Sequence, residues 1–139
     1  EAAREAEWFD PSGKRFIRPG DIGRFDADGF LTLLDRRKDV IISGGFNIYP
    51  SDLEAVLRDH PALADVAVVG VPSRQWGETP VAFVVRRAGH EAPDDAALKR
   101  HCAERLADYK VPESFTWSTE PLPRNANGKV MKRLLRALP

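Results

Sequence analysis

Short β-branched runs are the clearest apolar pattern along the chain, and they predict strands. Residues 66–71 and 81–85 are such runs, bounded by Pro72 and Pro80, and each fits a strand buried on at least one face. Shorter candidates are residues 40–42, residues 115–117 and the arms of a hairpin over residues 24–35 with Asp28-Gly29 at its turn. We therefore expect a sheet of short strands.

Helical spacing of apolar residues predicts two amphipathic helices. In residues 50–60 the apolar positions lie three or four apart, Pro50 suits a first helical turn, and His60-Pro61 ends the pattern. In residues 94–106 they repeat at every fourth position after Asp94, which favours a helix start. One of these positions is Cys102, which is typical of a small buried hydrophobe rather than a nucleophile.

The two ends of the chain add further elements. The first residues predict a short helical start, and residues 130–138 predict a last helix with Leu134 and Leu135 inward and Lys132, Arg133 and Arg136 outward. From residue 40 onward the order is strand, helix, strand, strand, helix, strand, helix. That order predicts a small α+β domain in which helices flank a short sheet, preceded by a strand-rich tail.

The composition of the chain bears on its core, its partners and its location. The 139 residues, 42% of them hydrophobic, can enclose one core. The 21 basic and 21 acidic residues cancel, which disfavours nucleic acid and anionic membranes as partners. A single cysteine and no apolar run near the ~20 residues of a membrane span indicate a cytoplasmic protein. The start, without Met or signal peptide, suggests a chain entered midway.

Three polar segments carry candidate chemistry. The strongest is residues 123–129, Pro-Arg-Asn-Ala-Asn-Gly-Lys, in which Lys129 follows a glycine. Such a lysine alone is typical of a solvated surface charge, and the segment is not a Walker loop because Pro123 stands where the first glycine is required. Residues 34–54 join charges, a strand, a diglycine and a helix start, and residues 20–23 read Gly-Asp-Ile-Gly.

In this order and spacing, the three segments resemble the signatures of the acyl-activating, adenylate-forming enzymes, specifically the acyl-CoA synthetase branch. The resemblance covers essentially the whole chain. It implies a ligase that activates a carboxylic acid, which we expect to be a fatty acid, as acyl-AMP and then transfers it to CoA. It also implies that residues 1–37 end a large N-terminal domain and that residues 38–139 form a mobile C-terminal domain. The fragment alone is then expected to be inactive.

The resemblance assigns four residues to the nucleotide and the domain motion. It implies that Asp21 accepts hydrogen bonds from the ribose hydroxyls, that Arg36 also reaches the nucleotide, and that Lys38 is the hinge. Lys129 would be the catalytic lysine of adenylation, since a cation ~4 Å from two approaching anions is worth on the order of 4 kcal/mol. From the residues alone, the favoured role of Asp21 is a turn cap, and residues 36–39 are typical of an ordinary charged surface.

A second set of residues is assigned to CoA by the same resemblance. Gly44, Gly45, Phe46 and Asn47 would line the tunnel for the pantetheine arm, where a Cβ would obstruct the passage. Trp76 would lie near CoA, and Tyr109 could stack on its adenine. Local sequence alone leaves a plain glycine turn and two packing aromatics as alternatives.

The cofactors implied are ATP or AMP and CoA, with Mg²⁺ bound by the N-terminal domain and no metal held by this chain. The partners are that domain, the carboxylic acid and, at Lys129, a lysine acetyltransferase. One alternative is an adenylation domain that loads a carrier protein, but those usually have Gly-x-Arg-Ile-Glu where this chain has Gly-Gly-Phe-Asn-Ile. Another is a non-catalytic nucleotide-binding or protein-binding module, which the joint presence of Lys129, Asp21 and Arg36 disfavours.

Overall fold

The computed structural model describes residues 7–9 and 11–137, which divide into two compact units, Glu1–Lys38 and Asp39–Pro139. The predicted helical start falls on residues outside the described ones. The first unit consists of two antiparallel hairpins, whose strands are β1 (Glu7–Phe9), β2 (Arg15–Ile17), β3 (Asp21–Phe25) and β4 (Leu31–Arg36). The hairpin predicted over residues 24–35 is thus confirmed as β3–β4.

The turn of the β3–β4 hairpin is built as its sequence predicts. The Asp26 carboxylate accepts hydrogen bonds from the backbone N–H of Asp28 and Phe30, at 3.0 and 2.9 Å. Gly29 supplies the positive φ of 85°. None of the residues in this unit whose exposure is described is buried, so these residues enclose no core of their own.

The second unit is a five-stranded sheet with helices on both faces. Its strands are β5 (Ile41–Ser43), β6 (Phe46–Ile48), β7 (Leu63–Ser73), β8 (Gly77–Arg86) and β9 (Ser114–Ser118). Its helices are α1 (Pro50–Arg58), α2 (Asp95–Ala103) and α3 (Lys132–Arg136). The predicted α+β class is confirmed.

The antiparallel β7–β8 hairpin is the centre of the sheet. One edge of β8 pairs with β7 along its length, and the other pairs with β5 at Gly77 and, in parallel, with β9 over residues 81–85. β6 extends the sheet beyond β5. The β8–β9 pair is parallel because α2 crosses over between the two strands.

Both faces of the β7–β8 hairpin are buried, so the two β-branched runs lie in the middle layer of the unit. On one face, Val66 and Val84 pack in a cluster with residues of α1 and α2, including Leu53 and Cys102. On the other, Val69 and Phe83 pack with Leu135 of α3. Each such apolar side chain contributes ~1.5–3 kcal/mol when fully buried, so this double burial holds the unit together.

One element was not predicted, and the last helix was predicted wrongly. Residues 46–48, for which no strand was predicted, form β6, because the Gly44-Gly45 turn folds them back onto β5. The last helix is shorter than residues 130–138, and Leu134 is 42% exposed. The Lys132 side chain, predicted to face water, is only 14% exposed and lies 2.6 Å from Glu54 Oε1.

Candidate functional site

The Gly44-Gly45 turn between β5 and β6 is the first component of the candidate site. Its central residues have φ values of 55° and 84°, as a two-residue hairpin turn of this twist requires. The Gly44 backbone N–H donates a hydrogen bond of 2.9 Å to the carbonyl of Trp76. A Cβ at Gly44 would lie 3.1 Å from Cε3 of the Trp76 ring, so the missing side chain lets this ring lie against the backbone.

A cavity of about 590 Å³ opens beside this turn, and we call it the aromatic cavity. It is lined by residues from three separate segments, namely Ser43, Gly44, Phe46, Trp76, Thr79, Pro80, Asp108, Tyr109, Val111 and Glu113. The Phe46 and Tyr109 rings stack with centroids 4.8 Å apart. Phe46, Trp76 and Tyr109 are 57%, 49% and 44% exposed, more than core packing leaves open.

The aromatic cavity thus brings together four predicted CoA-binding residues, Gly44, Phe46, Trp76 and Tyr109. The other two predicted residues of this set do not line it. Gly45 is exposed, with nothing within 4 Å of an added Cβ, and Asn47 is an exposed residue of β6 opposite Ile42. The sequence prediction did not assign Asp108, although it is the neighbour of Tyr109.

The turn that carries Tyr109 is joined to α1 by an ion pair. Lys110 Nζ lies 3.5 Å from Asp52 Oδ2 in α1, and Tyr109 itself belongs to a single 3-10 turn, Asp108–Lys110. Lys110 is therefore already paired with a carboxylate. Among the residues that line the aromatic cavity, the charged groups are the carboxylates Asp108 and Glu113.

Asp21 and Arg36 lie opposite each other on β3 and β4. Arg36 Nε is 2.8 Å from Asp21 Oδ1, and its Nη1 donates a hydrogen bond of 3.3 Å to the carbonyl of Pro19. A shallow cavity of about 790 Å³ adjoins the pair, lined by Pro19, Gly20, Arg36, Arg37 and Lys38. The first unit therefore places two of the predicted nucleotide residues in contact through Asp21 Oδ1.

Lys129 projects from a loop of residues 124–130, which we call the lysine loop. The Asn125 side chain accepts hydrogen bonds from the backbone N–H of Asn127 and Lys129, both 3.0 Å, and Gly128 turns the chain with a φ of 78°. Arg124 closes the loop through a 2.7 Å hydrogen bond to the Gly128 carbonyl. Asn127-Gly128 is a recognisable turn signal, whereas the sequence prediction assigned Asn125, whose side chain holds the loop, no role.

The lysine loop is attached to the sheet while its lysine stays accessible. Arg124 Nη2 lies 2.5 Å from Asp65 Oδ2 of β7, and the Met131 N–H donates to the Pro123 carbonyl at 2.7 Å. Lys129 is exposed, and within residues 11–137 no carboxylate lies within ion-pair distance of its ammonium group. An ammonium group on a fixed backbone with no ion partner is available to an incoming anion.

Two further expectations concern cysteine and metals. Burial raises the pKa of the Cys102 thiol to about 11, which keeps it protonated and agrees with its prediction as a buried hydrophobe. In the described part of the chain, no group of three or more His, Cys, Asp or Glu side chains could hold a metal ion. The same residues contain no helix with the length and apolar character that crossing a bilayer requires.

Together, the fold and these groups define a small α+β module with an aromatic cavity beside a glycine turn and an accessible lysine on a braced loop. The family model of the AMP-binding enzyme C-terminal domain matches residues 52–129. The chain belongs to this family, which confirms the resemblance found in the sequence. Trp76, Tyr109 and Lys129 lie within the matched residues, whereas Asp21, Arg36 and the Gly44-Gly45 turn precede them.

Individual relatives extend the comparison. The chain is 52% identical over 119 residues to the 2-succinylbenzoate–CoA ligase of Geobacillus kaustophilus, covering 86% of this chain and 24% of the ligase. It superposes on o-succinylbenzoate CoA synthetase from Bacillus subtilis, solved with the acyl-adenylate intermediate, with a TM-score of 0.87 and 42% sequence identity. That match covers 100% of this chain and 27% of the synthetase. With fatty acyl CoA synthetase of Mycobacterium tuberculosis, the TM-score is 0.71 and the sequence identity is 42%. That match covers 98% of this chain and 26% of the synthetase. The chain thus spans about a quarter of the length of these relatives.

Proposed function

We propose that this chain is the C-terminal part of an AMP-forming acyl-CoA ligase, and that the acid it helps to activate is 2-succinylbenzoate. The single observation that carries the ligase proposal is Lys129, which lies exposed on the lysine loop within the family match and has no ion-pair partner among residues 11–137. The choice of acid is supported by the 52% identity to a 2-succinylbenzoate ligase. This choice replaces the fatty acid expected from the sequence.

In the first half-reaction, a carboxylate oxygen attacks the α-phosphorus of ATP, and pyrophosphate leaves. Two anions must approach each other, and Lys129 would lower this repulsion because no carboxylate of residues 11–137 neutralises its ammonium group. Asp21 would accept hydrogen bonds from the ribose hydroxyls through Oδ2, with Arg36 holding Oδ1 in place. Mg²⁺ would be bound outside this chain.

In the second half-reaction, the CoA sulfur attacks the acyl carbonyl, and AMP leaves. The aromatic cavity would hold part of CoA, since Tyr109 and Trp76 offer exposed ring surface beside a backbone that lacks a Cβ. The carboxylates Asp108 and Glu113 at its rim would repel the CoA phosphates. We therefore propose that the uncharged pantetheine arm, rather than a phosphate, lies nearest these two residues.

The domain assignment is part of the same proposal. Four apolar side chains of the β3–β4 hairpin are more than half exposed, namely Phe25, Phe30, Leu31 and Leu33. A face of this kind is typical of a surface that is covered by another part of the protein. We propose that it packs against the remainder of the N-terminal domain, and that Lys38 is the hinge after which the C-terminal domain turns. Lys129, being exposed, would also be open to an acetyltransferase, which would remove its charge.

Pyrophosphate exchange tests the proposed substrate. In the intact enzyme, 2-succinylbenzoate should support exchange of labelled pyrophosphate into ATP, and a long-chain fatty acid should support it at least about tenfold more weakly. The 139-residue chain alone should support none, since the acid pocket and triphosphate site lie elsewhere. Stronger exchange with the fatty acid would favour a fatty acid as the substrate, as expected from the sequence. Exchange by the 139-residue chain alone would contradict the proposal that the acid and triphosphate sites lie outside it.

A further inference from the structure

Lys38 is the middle residue of a single 3-10 turn, Arg37–Asp39, whose two ends are held by different units. Before it, the Arg37 backbone N–H donates a hydrogen bond of 2.8 Å to the Gly20 carbonyl, within the first unit. After it, Asp39 Oδ1 lies 3.1 Å from Arg136 Nη2, within the second unit. Lys38 is exposed, and its side chain makes no hydrogen bond or ion pair with the described residues. The division between the units falls between Lys38 and Asp39.

The Asp39–Arg136 pair joins residues 97 positions apart and is partly buried, with side chains 14% and 33% exposed. Leu135, the neighbour of Arg136, is buried against the sheet in α3. Two residues after Asp39, Ile41 is 1% exposed in the core on the opposite face. Arg136 therefore reaches Asp39 from a helix that is itself fixed to the sheet, so that Asp39 moves with the second unit.

We propose that Arg136 is a positioning residue which, through Asp39, confines the rotation of the C-terminal domain to the bonds around Lys38. This inference rests on the proposed function, since that function requires the rotation. If the rotation also bent the backbone at Asp39 and Val40, the orientation of the C-terminal domain would be less well defined in each half-reaction. Reacting groups would then be misplaced by small distances, which lowers reaction rates. Arg136 touches no substrate in this account and acts only through the carboxylate that it holds.

Backbone relaxation of the 139-residue chain tests the anchoring without any catalysis. In the unaltered chain, the amide order parameters of Asp39 and Val40 should be near the ~0.85 of rigid backbone, with a lower value at Lys38. Arg136→Gln should lower both toward ~0.6. Arg133→Gln, on the same helix with an exposed side chain, is the matched control and should leave them unchanged. Unchanged values in Arg136→Gln would overturn the proposal.

The intact enzyme tests the consequence for the reaction. Arg136→Gln should lower kcat of both half-reactions about two- to fivefold, the size expected of one partly exposed ion pair, with KM for ATP unchanged. Charge reversal, Asp39→Arg with Arg136→Asp, should restore both rates. Unaltered rates with a lowered Tm would make the pair merely structural and overturn the inference. An intact enzyme without either half-reaction would refute the proposed function, while the relaxation result would still decide the anchoring.

Discussion

At the scale of single residues, Gly44 and Gly45 lack side chains for different reasons. Both have a positive φ, which the two-residue turn requires. A Cβ at Gly44 would press on the Trp76 ring at 3.1 Å, whereas a Cβ at Gly45 would meet nothing within 4 Å. Gly44 is therefore required by packing as well as by the turn. At Gly45, the missing side chain leaves the space beside the turn open.

Replacing Gly45 tests whether that open space admits CoA. In the intact enzyme, Gly45→Leu should reduce thioester formation by at least about tenfold, because the leucine would occupy the passage, while pyrophosphate exchange persists. Gly45→Ala is the matched control, because it carries the same positive-φ strain of ~1–2 kcal/mol with a smaller side chain. Rates of thioester formation that fall equally in both variants would attribute the effect to backbone strain instead.

At the scale of elements, Glu54 of α1 ties the outer edge of β7 to α3. Its Oε1 accepts a hydrogen bond of 3.0 Å from the Val68 N–H and lies 2.6 Å from Lys132 Nζ. Glu54 is 9% exposed, so removing its carboxylate would leave a buried N–H and a largely buried ammonium group unpaired.

The stability of the second unit should therefore depend on Glu54. We expect Glu54→Ala to lower the free energy of unfolding by about 2–4 kcal/mol, measured by urea denaturation of the 139-residue chain. Glu104→Ala is the control, since Glu104 makes only an exposed pair with Arg105, and should cost at most ~0.5 kcal/mol. Equal, small losses of stability in both variants would show that the Val68 N–H and the Lys132 ammonium group find other partners when the Glu54 carboxylate is removed.

The contact between α1 and α2 should be sensitive to pH through His60. Its ring lies 5.0 Å from that of His101, and its Nδ1 accepts a hydrogen bond of 3.2 Å from the Ala62 N–H. Burial, and then the charges of His101, Arg105 and His90, lower the pKa of His60 below its usual 6.5. The folded chain therefore takes up this proton less readily than the unfolded chain.

The sign of the pH dependence follows from that lowered pKa. His60 should cost no stability above pH 6.5, and the free energy of unfolding should fall as the pH decreases from 6.5 toward the folded-state pKa. His60→Asn, which keeps an acceptor for Ala62, should flatten this slope in urea denaturations between about pH 5 and 8. His90→Asn, in the exposed loop after β8, should retain most of it. An unchanged slope in His60→Asn would assign the dependence to other groups.

The elements that the sequence predicted well are those with their own local pattern. The β-branched runs of β7 and β8 and the helical spacing of α1 are properties of neighbouring residues, and they were confirmed. β6 could have been inferred, because a Gly-Gly pair between two apolar runs is a hairpin signal. The burial of Lys132 could not, because its partner Glu54 lies 78 positions away and the contact exists only after α1 and α3 have packed on the sheet.

For the candidate site, the sequence prediction can be compared with where the structure places the residues. Of those that the resemblance assigned to CoA, Gly44, Phe46, Trp76 and Tyr109 line one cavity, whereas Gly45 and Asn47 do not. The acidic rim residue Asp108 and the stacking of Phe46 on Tyr109 were not predicted, because they depend on how the β5–β6 turn meets the segment before β9. The roles of the site residues in catalysis remain predictions.

At the scale of the whole molecule, the two units differ in how they could be stabilised. The second unit has two buried apolar clusters, one on each face of its sheet. The first unit presents Phe25, Phe30, Leu31 and Leu33 to solvent. This difference supports the proposal that the first unit packs against the remainder of an N-terminal domain.

The half-reactions of a Lys129→Ala enzyme test the central claim most directly. Because Lys129 should act only while the carboxylate attacks ATP, the variant should lose pyrophosphate exchange by ~10²–10³-fold. It should still convert supplied acyl-adenylate and CoA into thioester at nearly the unaltered rate, and Lys99→Ala, which removes another exposed lysine, should lose neither step. Equal loss of both steps in Lys129→Ala, or full pyrophosphate exchange without Lys129, would contradict the function proposed for this chain.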